Sequence, residues 1–298
     1  MTMRVSNAQI YRSVLKNVNI GTRSLASLQE KLSTGRRVNR PSDDPSAAAL
    51  ALSYRADIAL NDQHQRATAD AVARMNASEA AMGGATDSLQ RVRELAVQAG
   101  SPGISPQELQ ALGEEVDQLL GHMVQLGNAN FAGQFLFAGH QTQTPPFTTT
   151  TAGTLVTAVN YVGDTGALKR EIGVGVTVDI NVAGSDAFGN VFSTLITLRD
   201  ALNAGNVPVA TAQIANLDAD LDALLGARGR IGARANGIES AQSILTDANT
   251  ELTKQKAENE EIDLVDVIVK LNSQESVYQA ALASTARAIQ PSLMDFLR

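Results

Sequence analysis

The stretch STGRRVNRPSDDPSAAAL, Ser33 to Leu50, holds three arginines, two adjacent aspartates and two prolines between two apolar runs. Its residues are those of a join between helices. Gly35 suits a helix C-cap, because glycine enters the left-handed conformation that ends a helix without a Cβ clash. Pro41 disfavours helix at Arg40. Asp44 followed by Pro45 sets an N-cap carboxylate before a proline at the first helical position, where a missing N–H removes no bond. The fold follows from what lies on either side of this loop.

Upstream, Ile10, Val14, Val18, Leu25, Leu28 and Leu32 recur at three- and four-residue steps, with Gly21 in the register. That stripe predicts a helix of roughly 30 residues. Downstream, an Ala-rich run reaches about Ala99, with Met75, Met82 and Leu89 spaced by sevens; such a helix is ~80 Å long. GSPGIS ends it, and Ser105, Pro106 and Glu108 form a capping-box start for the next helix, which carries Leu109, Leu112, Val116, Leu119, Met123 and Leu126.

The pattern changes after Asn128. QFLFAG is strand-like, and QTQTPPFTTTTAG reads as a loop of turn formers and threonines. TLVTAVNYV, ALKREIG and VGVTVDINV are expected to form one small antiparallel sheet. Helical spacing returns with VFSTLITLRDAL. From about Val207 a long helix carries Leu217, Leu224, Ile231, Ile238, Leu245 and Leu252 at every seventh position. KQKAENEEID is a polar interruption. A last helix follows, with Leu264, Ile268, Leu271, Tyr278, Leu282 and Ile289, and the chain closes on PSLMDFLR, which holds Leu293 and Phe296.

The expected fold is mainly α with a small β-rich insert, a long coiled-coil-like helical bundle made from both chain ends. Residues 1–44 and 258–298 form a terminal assembly domain with its connector, 45–140 and 191–257 a long helical rod, and 141–190 an outer β-rich insert. The insert interrupts the heptads cleanly and is expected to be separable from the assembly core.

Composition narrows the function classes. Hydrophobic residues make up 44% of the chain but aromatic ones only 4%, with no Trp, which suits narrow helix seams better than a wide interior. The absence of cysteine excludes disulfides, thiolate zinc sites and Cys nucleophiles. Acids outnumber bases 31 to 24, a net charge of −7, which argues against attraction to nucleic acid or an anionic membrane. No stretch is apolar enough to span a bilayer, and MTMRVSNAQIYRS lacks the apolar region of a cleavable signal peptide.

Catalytic chemistry finds no foothold. His64, His122 and His140 are scattered and share no metal-ligand spacing. GARGRIGAR, Gly226 to Arg234, lacks the Lys-Ser/Thr of a phosphate loop and lies within a heptad-bearing helix. Asp43 and Asp44 have no ligand cluster beside them and capping explains Asp44, while Glu258, Glu260, Glu261 and Asp263 are explained by a solvated joint. No enzyme, cofactor or metal site is expected.

The opening stretch also has a family likeness. LSTGRRVNRPSDDPSAAALALS, Leu32 to Ser53, resembles the N-terminal signature of the bacterial flagellin family, and LNSQESVYQAALASTARAIQPSLMDFL its C-terminal helix. MRVSNAQIYRS, QFLFAGHQTQTPPF and NYVGDTGALKREIGVGVTVDINVAGSDAFGNVF are similar to the family's subunits at the junction of hook and filament. The resemblance implies a non-enzymatic subunit of the extracellular flagellum, exported without a cleaved leader through the flagellar type III apparatus. The partners it implies are the first hook-associated junction protein, flagellin, further copies of this chain in a ring, and an export chaperone holding the C-terminal region. It also implies terminal segments that are unfolded during export and pair on assembly. Those segments carry Ile10, Val14, Val18, Leu25, Leu28 and Leu32 at one end and Leu264, Ile268, Leu271, Tyr278, Leu282, Ile289, Leu293 and Phe296 at the other. Arg37, Asn39, Pro41, Asp43 and Asp44 would form the connector. The alternative is a short flagellin forming the filament itself.

Overall fold

The computed structural model describes residues 7–289. In chain order these form α1 (Asn7–Thr34), α2 (Pro45–Ala99), α3 (Pro106–Gly127), β1 (Asn130–Phe131), β2 (Gln134–Phe135), β3 (Phe147–Ala152), β4 (Leu155–Tyr161), β5 (Lys169–Gly173), β6 (Val176–Asp179), α4 (Gly184–Phe188), α5 (Val191–Asn203), α6 (Val207–Glu260) and α7 (Leu264–Ile289). The fold is mainly α with a small β-rich region, as the periodicities imply.

The helix ends obey local rules. Gly35 takes φ +69° and its N–H donates to Lys31 O at 2.8 Å, closing α1. Pro45 opens α2. At α3 the Ser105 hydroxyl accepts from the Glu108 N–H at 3.2 Å while a Glu108 carboxylate oxygen accepts from the Ser105 N–H at 2.7 Å. Those reciprocal bonds hold the Glu108 carboxyl below its usual range. The polar segment KQKAENE does not interrupt α6, which runs on to Glu260; the break falls at residues 261–263. Charged side chains of good helix propensity propagate a helix as readily as apolar ones.

The chain divides into two compact units, one drawn from residues 1–60 and 249–298, the other from 61–248. In the second unit Met75, Met82 and Leu89 of α2, Val116, Leu120 and Met123 of α3, Leu195, Leu198 and Leu202 of α5, and Leu217, Leu224, Ile231 and Ile238 of α6 are buried in one core. Small residues, Ala210, Ala227 and Ala235, are buried on α6 as well. Two of the arginines of GARGRIGAR serve packing and pairing: Arg228 donates to Glu79 at 2.7 Å, and Arg234 to Asn181 O at 3.0 Å.

The strands differ from the expected single sheet. They form three separate antiparallel hairpins, β1–β2, β3–β4 and β5–β6. FTTTTA, expected as loop, is strand β3, and TLVTAVNYV pairs back onto it, with Phe147 opposite Tyr161 and Ala152 opposite Leu155. β-branched threonines favour extended backbone, and Gly153 at φ +67° permits the tight reversal between the two strands. β4 therefore has no need of ALKREIG.

The separable insert needs revision too. Phe137, Phe147, Tyr161, Phe188 and Phe192 meet with ring centroids 4.8 to 5.8 Å apart. Phe147, Ile172, Ile180 and Phe188 lie inside residues 141–190 yet are buried in the same core as the helical residues named above. The scarce aromatics are concentrated where short hairpins meet helices, because a flat ring covers more area than an aliphatic chain at an irregular contact.

Candidate functional site

The first and last helices pair. α1 lies against α7, and a Cβ on Gly21 would come within 3.3 Å of Tyr278 Cδ2. The missing side chain lets the two helices approach there. Since Gly21 faces Tyr278 and Arg36 bridges Glu261, the pair runs antiparallel. On α1, Val14, Val18, Leu25, Leu28 and Leu32 are half-buried, in a row with buried Gly21. The inward row of α7 is Val267, Leu271, Gln274, Tyr278 and Ala281, spaced by fours and threes. Leu264, Ile268 and Leu282 are exposed, at 54%, 47% and 43%. Of the C-terminal residues singled out from the sequence, then, Leu271 and Tyr278 face the pair and these three face outward. The side chains of Ile10 and Ile289 lie outside the described residues, as do Leu293 and Phe296.

The connector is a joint made from two distant links. Arg37 N–H donates to Glu260 O at 2.6 Å, and Ile262 N–H donates to Gly35 O at 3.2 Å. The link after α1 and the break after α6 thus satisfy each other's backbone groups. Arg37 reaches both helices of the joint. One Nη donates to Asn259 O at 3.0 Å, near the carbonyl-rich end of α6, and the other to an Asp44 carboxylate oxygen at 3.2 Å. A cation is favoured beside a helix C-terminus and a carboxylate beside an N-terminus, so one guanidinium complements both ends. Asn259 Nδ2 returns a bond to Ala47 O at 2.8 Å. The Glu260 carboxylate is buried and accepts from Arg55 of α2.

Within the loop, an Asp43 carboxylate oxygen accepts from the backbone N–H groups of Asn39 and Arg40 at 3.1 and 2.9 Å. Asp44 caps α2, accepting from the Ala47 N–H at 3.0 Å. Asn39 is half-buried, Pro41 is exposed, and Val38 is buried. Asn259, Arg55, Val38 and Val267 were not singled out from the sequence. The 4-3-4-3 spacing of the α7 row carried a signal, but Val265, Ile268 and Val269 offered rival rows.

The Asp44 carboxyl is held down at about 2 by the Ala47 N–H, the Ser46 hydroxyl and Arg37. A lowered folded-state value means that its contribution is present above the unfolded value near 3.8 and is lost as pH falls toward about 2. The protection of the Ala47 amide relative to its intrinsic exchange rate is therefore expected to fall between pH 4 and 2, and in Asp44→Ala to be low already at pH 5. Asp44→Asn, which keeps the capping oxygen, should remove the pH dependence while retaining protection. Unchanged protection in Asp44→Ala would show that the cap does not hold this joint.

Among the described residues no three His, Asp or Glu side chains gather as a metal site, and no helix is long and apolar enough to cross a membrane.

Paired terminal helices, a hydrogen-bonded joint and a helical core bearing short hairpins make a flagellin-like fold. Residues 5–142 match the family model described as the bacterial flagellin N-terminal helical region. The particular likeness is to flagellar hook-associated protein 3. That protein from Escherichia coli K12 is 24% identical over 94% of this chain and 95% of its own length. The crystal structure of FlgL from Bacillus cereus superposes with a TM-score of 0.61 at 26% identity, covering 69% of this chain and 99% of that one. A flagellin from Halalkalibacterium halodurans is 25% identical over 94% of this chain and 92% of its own.

Proposed function

We propose that this chain is a structural subunit of the bacterial flagellum that forms the junction between hook and filament, on which flagellin polymerises. The observation that carries the reading is end-to-end similarity to hook-associated protein 3, which includes the middle of the chain and not only the flagellin-type ends. Its neighbours in the assembly are the first hook-associated junction protein, flagellin and further copies of itself in a ring. It leaves the cell without a cleaved leader, its C-terminal region held by an export chaperone. The paired termini form the assembly domain, and the joint around Arg37 and Asp44 is the connector. Leu264, Val265, Ile268, Val269 and Leu282, apolar and exposed on α7, are the surface offered to neighbouring subunits, since an apolar patch of this extent is costly to leave in water.

The flagellin match over a similar share of the chain keeps a second reading in view, a short flagellin that builds the filament itself. Deleting the gene in its host separates the two. The junction reading expects intact hooks, no filaments and flagellin shed into the medium. Hooks bearing normal filaments of another flagellin would refute it. The purified chain should also fail to grow long filaments alone, whereas a filament subunit would grow them.

A further inference from the structure

A cavity of about 410 Å³ opens in the larger unit beside α2, the β1–β2 hairpin and β5, with Asp70, Arg74, Gln134, Lys169 and Arg170 on its wall. Arg74 is only 5% exposed. Its two Nη groups donate to neutral acceptors, Gln134 Oε1 and Phe135 O, both at 3.1 Å. Its Nε is buried and has no hydrogen-bond partner. Asp70, one helical turn away, is engaged by Arg170 at 3.1 Å, and no carboxylate is in contact with Arg74 among the described residues. A buried charge normally has a counter-ion, because desolvating it without one is strongly unfavourable. Burial pulls the Arg74 guanidinium downward, and Asp70, which is not in contact, offsets that only in part; arginine keeps its proton in any protein interior. Lys169 likewise has no carboxylate within ion-pair distance among the described residues.

Three cations thus surround the cavity against one acid, in a chain whose net charge is −7. The turn at its rim is held in an uncommon shape: Ala132, another wall residue, has φ +50° and is the one non-glycine with positive φ among the described residues. That turn presents Gln134 to Arg74.

We infer that this cavity binds a carboxylate, which supplies the counter-ion that buried Arg74 lacks. The Arg74 Nε is itself closed to solvent, so a carboxylate in the cavity meets Lys169 and Arg170 at the wall and offsets the Arg74 charge from there. Lys169 closes over it from β5. Asp70 on the same wall disfavours a multiply charged oxyanion such as phosphate, so a single carboxylate is the better fit. Two sources share this chemistry, a small free acid and an Asp or Glu side chain from a neighbouring subunit.

The probe is N-acetylglutamate α-amide, which carries one carboxylate, with N-acetylglutamine α-amide as the neutral control. Each is titrated into the full-length chain at constant ionic strength, following the Arg74 Nε–H signal by NMR. The carboxylate should shift that signal with a dissociation constant on the order of millimolar, and the control should leave it unmoved. Lys169→Gln and Arg170→Gln change exposed side chains, so both variants should keep the wild-type fold by circular dichroism. Losing one charge-assisted partner should weaken binding about tenfold. Arg170→Gln should weaken it further, because it frees Asp70 to occupy Arg74. A response equal to the control, or equal affinity in both variants, would overturn the assignment. Motility then separates the sources. Loss in Lys169→Glu with export intact points to a neighbour's side chain, and normal swimming to a free acid. The titration does not depend on the junction reading, so either can fail alone.

Discussion

Leu271→Asp is expected to abolish incorporation into the flagellum while leaving the larger unit folded. Leu271 lies half-buried in the α7 row that faces α1, between Val267 and Gln274. An ionised carboxylate there must either lose its water or push the helices apart, at a cost on the order of 2 kcal/mol or more. The pair has little to set against that, since among the described side chains of the two helices only Gly21 and Val267 are fully buried. Leu282→Asp is the informative companion. Leu282 is exposed in the single chain, so the purified variant should keep wild-type helix content and amide protection along α1. It should still fail to incorporate if the outward face of α7 meets a neighbouring subunit. Motility assays and exchange measurements on both purified variants decide the matter. Normal swimming by both would remove the terminal seam from the assembly.

Phe147→Ala should have the largest effect on the stability of the unit formed by residues 61–248. Phe147 is 5% exposed and touches three other rings, with centroids at 5.3, 5.4 and 4.8 Å from Tyr161, Phe188 and Phe192. Truncating a buried Phe typically costs about 3–5 kcal/mol, through lost burial and the cavity left behind. For a unit of this size each kcal/mol lowers Tm by about 2–4 °C, so calorimetry should show a drop of roughly 6–20 °C. Val174→Ala, at a hairpin tip where the side chain is 77% exposed, should leave Tm unchanged. A drop below ~2 °C for Phe147→Ala would mean that the aromatic cluster is dispensable. The expected loss also bears on excision of the insert: replacing all of residues 141–190 by a flexible linker would remove Phe147, Ile172, Ile180 and Phe188 from the shared core.

What could be read from the sequence was whatever depends on near neighbours. The S-x-x-E box at Ser105, the Asp44–Pro45 start and the Gly35 stop each act within four residues, and each appears where the sequence places it. The sevens of α6 from Leu217 to Ile238 survive because one buried row decides a helix face. The misreadings arise where local signals conflict. Threonines in FTTTTA are neutral between loop and strand until Tyr161 arrives opposite Phe147. α7 is apolar nearly all round between Leu264 and Leu271, so periodicity alone could not choose its inward face, and only the position of α1 selects Val267. The joint was half legible. Asp44 announced a cap, but Asn259 and Glu260, which meet Ala47 and Arg37 across the joint, lie more than two hundred residues away in a segment that looked merely polar. The lone charge of Arg74 gave no signal either, since a single arginine in a long helix is unremarkable until a hairpin buries it.

The pairing of α1 with α7 has a consequence in time. α1 is made before α7, with the intervening elements between them. At a synthesis rate of about 5–20 residues per second, the finished α1 waits on the order of 10–50 s for its partner to emerge. During that interval its stripe must neither aggregate nor seize another helix. Its seam suits the wait: Gly21 contributes no apolar surface there, Ser24 is polar, and Asn17 and Asn19 stand on the exposed side. A stickier first helix would hold the finished pair more firmly, but it would expose every nascent chain to misassociation before its own last helix existed.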